Sequence, residues 1–171
     1  MMSKHPSHNK GPAETEVRFI TDASLAGLAK WLRVLGYDTI VFHQTAGRSM
    51  MRCADKENRI LLTRRADMVE RQFSGSLFLI KDLEVGKQLK AVIERFALKI
   101  DRDKMFGICL ICNEKLLPVS REKVRDLVPP YVFENCSRYN ECPRCKKIYW
   151  MGTHSRNAFR FMEQHIPNHL P

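Results

Sequence analysis

From residue 17 to residue 98, short apolar runs alternate with segments in which apolar residues recur every three or four positions. The apolar runs predict four strands, at residues 17–21, 39–43, 59–63 and 76–81. The segments with helical spacing predict four helices, at residues 24–35, 49–56, 66–72 and 84–98. Strands that alternate with helices are typical of an α/β fold, in which helices cover both faces of a parallel sheet. Because the third and fourth runs are continuously apolar, we expect those strands to be buried on both sides.

The pattern changes after residue 103, where apolar residues become sparse, prolines interrupt the helical spacing and cysteines appear. The chain therefore divides into a polar tail at residues 1–16, an α/β domain at residues 17–103 and a cysteine-rich domain at residues 104–171. No apolar run reaches the roughly 18 residues that a membrane helix needs. The first residues lack the apolar stretch of a signal peptide. We therefore expect an intracellular, cytoplasmic protein that does not enter a membrane.

Six cysteines lie in the chain, and four of them form two pairs with Cys-x-x-Cys spacing: Cys109, Cys112, Cys142 and Cys145. Each pair can present two thiolates from one tight turn, and two such turns complete the tetrahedral shell of Zn²⁺. Disulfides are the alternative, but a reducing compartment disfavours them. We therefore predict a structural zinc site in a small ribbon. For Cys53 and Cys136, packing as small buried residues is the default expectation.

Basic residues outnumber acidic residues by 29 to 19, which gives a formal net charge of +10. The excess is spread along the chain: residues 17–103 carry 16 basic and 11 acidic side chains, and residues 104–171 carry 11 and 6. A polyanion is the natural partner of such a chain, and nucleic acid is favoured over an anionic membrane surface. The alternative is a soluble protein whose basic charge has no partner.

Three aspartates follow predicted strands: Asp22 after the first, Asp67 after the third and Asp82 after the fourth. Because the carboxyl ends of parallel strands meet at one edge of a sheet, these aspartates could converge there. Clustered carboxylates on a basic protein favour a Mg²⁺ or Mn²⁺ site that acts on a phosphodiester. The alternative, given equal weight, is that each aspartate caps the following helix. Asp38 precedes its strand, so we expect it at the opposite edge, as a cap or in solvent.

Three stretches of the sequence resemble the Mut-seven C-terminal ribonuclease family. Residues 19–39, which read FITDASLAGLAKWLRVLGYDT, are similar to the opening of the family, and residues 59–64 are similar to its second signature. The two cysteine pairs, with Asn113, Leu116, Tyr149, Trp150 and Gly152-Thr153-His154, resemble its zinc-ribbon tail. The resemblance implies a PIN-like nuclease domain at residues 17–103, a zinc ribbon at residues 104–171 and metal-dependent cleavage of RNA. It also implies RNA and other proteins of an RNA-processing assembly as partners.

The chain departs from the family pattern at two places beside the predicted catalytic site. The family has an acidic residue where this chain has Arg65. The family also tends to have an acidic residue at the start of the second helix, whereas residues 47–49 of this chain include none. The resemblance implies catalysis through Asp22 and Asp67, with Asp82 as a weaker third candidate. At Arg65, however, a carboxylate that could bind a metal ion is replaced by a positive charge that repels it. A second hypothesis is therefore a non-catalytic RNA-binding protein with a degenerate PIN-like site. A third is an adaptor whose ribbon binds protein.

Four basic residues are candidate RNA ligands: Lys30, Arg33, Arg64 and Arg65. Arg64 and Arg65 follow the third strand, where phosphate contacts and simple solvation have equal weight. Lys30 and Arg33 are predicted on the polar side of the first helix, where solvation is the usual outcome.

Aromatic residues that could stack on bases are more often part of a core. We expect Trp31 to pack in the α/β core, and Tyr149 and Trp150 to pack over the metal-binding turns. His154 either contacts RNA or supports the ribbon, and four thiolates leave it no role as a zinc ligand.

Overall fold

The computed structural model describes residues 16–170 of the chain, so the predicted tail lies outside the described residues except for Glu16. Seven strands run through the described part: β1 (Phe19–Asp22), β2 (Thr39–Phe42), β3 (Ile60–Thr63), β4 (Leu77–Leu79), β5 (Leu117–Val119), β6 (Tyr139–Glu141) and β7 (Ile148–Trp150). Six α-helices lie in the same residues: α1 (Ala26–Val34), α2 (Arg48–Lys56), α3 (Val85–Phe96), α4 (Arg121–Val124), α5 (Pro130–Asn135) and α6 (Thr153–His165). None of these helices has both the length and the apolar character of a membrane span.

The first four strands form one parallel sheet in the order β2-β1-β3-β4. β1 pairs with β2 on one side and with β3 on the other. The chain therefore moves from β1 to one side of the sheet and then crosses from β2 over β1 to reach β3 on the other side. The register places Thr21 of β1 opposite Leu62 of β3, which brings Asp22 beside Thr63. The crevice between the ends of β1 and β3 is therefore the switch point at which open α/β sheets usually bind ligands.

Helices cover both faces of this sheet, which confirms the predicted α/β architecture. One face carries α1, α3 and α6, whose buried side chains include Leu28, Leu32, Leu89, Val92 and Met162. The other face carries α2, whose buried side chains Met50, Met51 and Ala54 pack against the sheet. β3 lies between β1 and β4, and a layer of helices covers each face of the sheet. Leu61 and Leu62 of β3 are therefore fully buried, as expected.

Two predicted elements differ from the structure. The apolar run at residues 76–81 predicts a strand buried on both faces, but β4 is an edge strand and is only half-buried. The predicted helix at residues 66–72 is reduced to a 3₁₀ turn at Ala66–Met68. Met68 is the one buried residue of that segment, and a segment with so little packing gains too little to sustain a helix.

The cysteine-rich part forms the predicted ribbon. β5, β6 and β7 make a small antiparallel sheet, and α4 and α5 fill the long gap between the two cysteine pairs. Their apolar side chains form a separate cluster with the sheet, built on Val124, Val128, Val132 and Tyr139. This part therefore has a core of its own, although a small one.

α6 leaves the ribbon and returns to the α/β sheet. Phe161 stacks on Trp31 of α1 with the ring centroids 4.1 Å apart, and Met162 enters the main core. Gly86 of α3 permits this approach, because a β-carbon at that position would collide with the ring of His165. The division of the chain at residue 103 stays a prediction, since the segments on either side share one core.

Candidate functional site

The two cysteine pairs come together in the ribbon. Cys109 and Cys112 precede β5, whereas Cys142 and Cys145 lie in the turn between β6 and β7. The four Sγ atoms lie within 4.8 Å of one another. Within residues 16–170, they form the one group of three or more cysteine, histidine or carboxylate side chains placed to share a metal ion.

The two cysteine turns have the same backbone geometry. In each, the amide of the second cysteine donates to the Sγ atom of the first, at 3.3 and 3.5 Å. Each turn continues through a left-handed residue, Asn113 or Lys146, and both residues have φ of 62°. Asparagine tolerates this conformation better than lysine does. Lys146 is therefore held in a strained backbone conformation, which the shape of the second turn requires.

The distances between the sulfur atoms fit Zn²⁺. The Sγ atoms of Cys109 and Cys145 lie 3.7 Å apart, close to the roughly 3.8 Å edge of a tetrahedron whose Zn–S bonds are about 2.3 Å. A disulfide would bring two sulfur atoms to about 2.05 Å. All six cysteines are free thiols, so the disulfide alternative is wrong. Four thiolates are the donor set of structural zinc ribbons.

Hydrogen bonds favour the thiolate of Cys109. The hydroxyl of Tyr149 lies 3.1 Å from its Sγ atom. Burial raises the pKa of Cys109, but hydrogen bonds from Tyr149 and from backbone amides of the turn outweigh burial and lower the pKa to about 6. Burial and the same contact raise the pKa of Tyr149, so its hydroxyl keeps the proton that it donates. The expectation that Tyr149 packs over the metal-binding turns is therefore confirmed.

Asn113 fastens the first cysteine turn to the α/β sheet. Its side-chain oxygen accepts a hydrogen bond of 2.8 Å from the amide of Thr39, and its side-chain nitrogen donates to the carboxylate of Asp38. Asp38 also receives the guanidinium of Arg59, at 2.7 and 3.2 Å. Burial raises the pKa of Asp38, but these hydrogen bonds and the charge of Arg59 outweigh burial. The pKa therefore lies below its ordinary value. Asp38 lies at the predicted edge, but as a half-buried ion pair and not as a cap or in solvent.

Arg33 holds the same turn from α1. Its guanidinium donates to the carbonyls of Leu110 at 2.6 Å and Thr39 at 2.8 Å, and the residue is only 5% exposed. The expectation that Arg33 lies on the solvent side of α1 is wrong, because the ribbon covers that part of the helix and presents turn carbonyls to it. Arg33 therefore has no free surface for RNA, whereas Lys30 is exposed.

Asp22 ends β1 at the crevice between β1 and β3 and is 5% exposed. Its Oδ1 atom accepts hydrogen bonds from the amide of Ser24, at 2.9 Å, and from the Ser24 hydroxyl. Its Oδ2 atom accepts a bond of 2.7 Å from the hydroxyl of Thr63. The capping alternative is confirmed for Asp22, which caps the 3₁₀ turn at Ala23–Leu25 and also ties β1 to β3.

Arg65 follows β3 by two residues, and hydrogen bonds to two different residues hold its guanidinium. It donates to both carboxylate oxygens of Asp67, at 3.0 and 2.9 Å, and to the carbonyl of Ala46 at 2.8 Å. Its pKa is raised mainly by Asp67 and more weakly by the charge of Asp22. Arg71 donates to Asp67 at 3.1 Å. Hydrogen bonds from Arg65 and then Arg71 lower the pKa of Asp67, so this carboxylate is ionised and already paired.

The three predicted catalytic aspartates do not form a divalent-cation site as arranged. Within residues 16–170, Asp22, Asp67 and Asp82 do not belong to a group of side chains close enough together to bind one metal ion. Asp22 has hydrogen bonds on both oxygens, Asp67 pairs with two arginines, and Asp82 follows β4, where its backbone carbonyl accepts from Gln88 at 3.0 Å. Their catalytic role stays a prediction.

The remaining candidates lie apart from these arrangements. Arg64 and His154 are exposed. Trp31 packs on Phe161, as expected, and Trp150 packs in the ribbon cluster. Cys53 packs beside the α2 cluster, whereas Cys136 is half-buried, with Sγ 3.6 Å from the carbonyl oxygen of Met151.

One family model matches the sheet, the ribbon and most of α6 in a single stretch. This model, described as the Mut7-C RNAse domain, matches residues 17–162. The chain belongs to the Mut7-C RNAse domain family. The resemblance seen in the sequence is therefore confirmed, and membership of the Mut7-C family implies a ribonuclease-like function. No curated protein matches the chain.

Sequence reasoning misses the roles of Thr63, Asn113 and Arg59 in this Mut7-C chain. Two of them carry a signal that could have been used. Thr63 is a polar residue at the carboxyl end of an apolar strand, where ligands bind. Asn113 directly follows a Cys-x-x-Cys pair and is a residue type that tolerates left-handed backbone. Nothing in the sequence pairs Arg59 with Asp38, because the two residues lie on different connections of the sheet.

Proposed function

We propose that the protein binds RNA at the edge of the α/β sheet formed by Asp22, Thr63, Arg64, Arg65 and Asp67, which we call the strand-end edge. Arg64 and Arg65 are the phosphate contacts in this proposal. The observation that carries it is the guanidinium of Arg65, which Asp67 and the carbonyl of Ala46 hold in one orientation beside the crevice. Membership of a ribonuclease family supports RNA as the substrate class, and the net charge of +10 supports a polyanion.

The hydrogen bonds of Arg65 leave it able to bind phosphate. An arginine side chain has five N–H donors in a planar fork. Three of them are used on Asp67 and Ala46, so each terminal nitrogen keeps one donor for a phosphate oxygen. A guanidinium whose orientation is fixed in advance loses less side-chain freedom on binding. The neighbouring Arg64 is exposed and adds a second positive charge.

We also propose that the four cysteines bind one structural Zn²⁺. Four thiolates fill a tetrahedral shell, so the ion has no open position for water or substrate. The bound ion supplies a crosslink between the two cysteine turns and no chemistry. Two hydrogen bonds then connect the crosslinked first turn to the α/β domain. Arg33 of α1 donates to the carbonyl of Leu110 in the turn, and Asn113 of the turn accepts from the amide of Thr39 in the sheet.

A second candidate function is metal-dependent hydrolysis of RNA through Asp22. It is supported by the family, and by the exposure of the ion pair that occupies the site. The side chains of Arg65 and Asp67 are 41% and 45% exposed, so water screens their attraction and a metal ion can reach the pair from solvent. Release of the Asp67 carboxylate would require it to leave both Arg65 and Arg71. Slow cleavage is therefore the expected activity of this chain.

The test is binding and cleavage of labelled RNA with Mn²⁺ or Mg²⁺ and with EDTA. We expect the same affinity in EDTA as with Mn²⁺, a decrease as salt rises, and slow cleavage in Mn²⁺. Arg65→Asp should bind RNA more weakly and cleave it faster. Arg64→Asp is the matched control, since it makes the same charge change one residue away and should weaken binding without faster cleavage. Asp22→Asn keeps the shape of the side chain and should abolish cleavage.

Three outcomes contradict parts of this proposal. A wild-type protein that binds no RNA overturns the function itself. If Asp22→Asn cleaves as well as the wild type, the activity does not come from the strand-end edge. If neither the wild type nor Arg65→Asp cleaves any RNA while both bind it, the protein is a non-catalytic RNA-binding member of the family.

A further inference from the structure

A cleft of about 570 Å³ lies between α2 and the segment of residues 70–74. One wall carries Arg48, Met51 and Arg52 of α2, and the other carries Arg71 and Phe73. Its volume lies within the roughly 300–1,000 Å³ that is usual for ligand sites. The cleft is on the α2 face of the sheet, opposite to α3 and α6.

Hydrogen bonds through Arg65 connect both walls of the cleft to the strand-end edge. Arg65 donates to Ala46, two residues before Arg48 at the start of α2. It also donates to Asp67, which receives Arg71 from the other wall. At the far end, the hydroxyl of Ser74 donates to the carboxylate of Asp55, at 3.1 and 3.2 Å to its two oxygens. The walls are therefore fastened at both ends before any ligand arrives.

Arg48 and Arg52 stand one helical turn apart on α2, and both are exposed. Neither has an ion pair within residues 16–170. Two like charges at this spacing destabilise a helix slightly, so the pair adds nothing to the stability of α2. The acidic residues in the cleft do not cancel it completely, since its lining carries three arginines against the two carboxylates of Asp55 and Glu70.

We propose that this cleft is the track of a single RNA strand that continues to the strand-end edge. Arg48 and Arg52 contact successive phosphates, and the partly exposed ring of Phe73 stacks on a base. Guanidinium groups beside an aromatic ring are the usual means by which proteins hold single strands without reading their sequence. This inference rests on the proposed function and adds the path of the substrate.

The test compares two double variants of the full chain that each lose two positive charges. Arg48→Ala with Arg52→Ala removes the proposed phosphate contacts. Lys87→Ala with Lys90→Ala is the matched control on α3, whose lysines lie on the other face of the sheet and pair with Glu84 and Glu94. Binding of a fluorescent oligouridine is measured across a salt series, and circular dichroism and zinc content check that each variant is folded.

The arginine variant should lose about tenfold in affinity at low salt, and its salt slope should become shallower by about 0.7 for each lost phosphate contact. The lysine variant should change affinity by less than about twofold, because it alters only the general field. Phe73→Leu keeps an apolar side chain and should weaken binding without changing the salt slope, since stacking releases no counterions. Ultraviolet crosslinking of the wild type should join the RNA to Phe73.

Several results overturn the proposal. Equal losses in the arginine and lysine variants would show general electrostatics and no track, while leaving RNA binding itself intact. Crosslinks confined to the ribbon would place the strand elsewhere. Equal competition by a poly-glutamate peptide of matched charge would identify the cleft as a site for an acidic protein. A wild type that binds no oligouridine would overturn both this inference and the proposed function.

Discussion

The first cysteine turn and the strand-end edge lie at opposite edges of the same sheet and handle charge in opposite ways. At the cysteine turn, the charged groups are wholly or partly removed from water and hydrogen-bonded within the protein, as Arg33 and Asp38 show. At the strand-end edge, Asp22 is buried, but the ion pair of Arg65 and Asp67 faces solvent. A buried network is costly to break because its members cannot return to water. An exposed pair can exchange partners at little cost, so it suits a binding site.

The largest effect should come from removing a ligand of the cysteine cluster. Cys142→Ser should lose the zinc and unfold the ribbon, because so small a core depends on its metal. The α/β sheet should also melt at a lower temperature, since Arg33 and Thr39 lose their partners on the first turn. Metal analysis, hydrogen exchange of residues 117–150 and thermal unfolding measure the three effects.

Cys136→Ser is the matched control for that experiment. Cys136 is a half-buried cysteine of the ribbon that lies outside the cluster. Its variant should keep the zinc and the exchange protection of the wild type. Equal zinc content in the two variants would contradict the proposed zinc site.

The next largest effect should come from the bond between the cysteine turn and the sheet. Asn113→Gly removes the side chain but keeps a residue that tolerates φ of 62°. It should cost about 1–3 kcal/mol, because the amide of Thr39 and the carboxylate of Asp38 lose a partner. A double-mutant cycle with Asp38→Ala should give a coupling energy of about 0.5–3 kcal/mol. Additive effects would show that the turn and the sheet are independent.

A smaller effect should appear on acidification. Burial raises the pKa of Asp38, but Arg59 and Asn113 lower it overall below its ordinary value of 3.8. A lowered pKa means that the stabilisation is present above pH 3.8 and is lost as pH falls through the native value. Between pH 3.8 and the lowered native value, the wild type should therefore lose stability more steeply than Asp38→Asn. Urea unfolding between about pH 2 and pH 6 measures the difference, and parallel curves would contradict it.

The smallest effect on stability should come from the exposed pair. Arg65→Ala should leave the urea midpoint unchanged, because solvent screens its interaction with Asp67, while RNA affinity falls. Arg59→Ala is the contrasting variant, since Arg59 is buried against Asp38, and it should lower the midpoint clearly. If Arg65→Ala is as destabilising as Arg59→Ala, the two regions do not differ in the way proposed.

The sequence predicted the features that depend on local spacing. The alternation of apolar runs and helical segments predicted the parallel sheet and its helices, because β1, β2 and β3 each have a neighbouring helix whose apolar face is visible in the chain. It failed where burial depended on position in the sheet. β4 has the same apolar composition as a central strand, but only the strand order places it at an edge.

The candidate site divides in the same way. Cysteine spacing predicted the four-thiolate cluster, because the geometry of each turn is set within four residues. It did not predict that Arg33 would be buried, since the carbonyls of Leu110 and Ile111 that accept its hydrogen bonds come from the other part of the chain. The position of Asp22 was predictable because it follows the first apolar run, but its hydrogen bond from Thr63 depends on β1 and β3 being neighbours.

By itself, the sequence determined the α/β order, the two cysteine turns, the excess of positive charge and the family, because each of these follows from local spacing, composition or motif order and needs no tertiary contact. Only the tertiary structure decided which charges are available to a ligand. Arg33, Arg59 and Arg65 are all arginines beside apolar segments, yet the fold buries two of them and leaves one at a surface. The physical reason is that desolvation and pairing depend on groups brought together by folding, whose distance along the chain gives no sign of their contact.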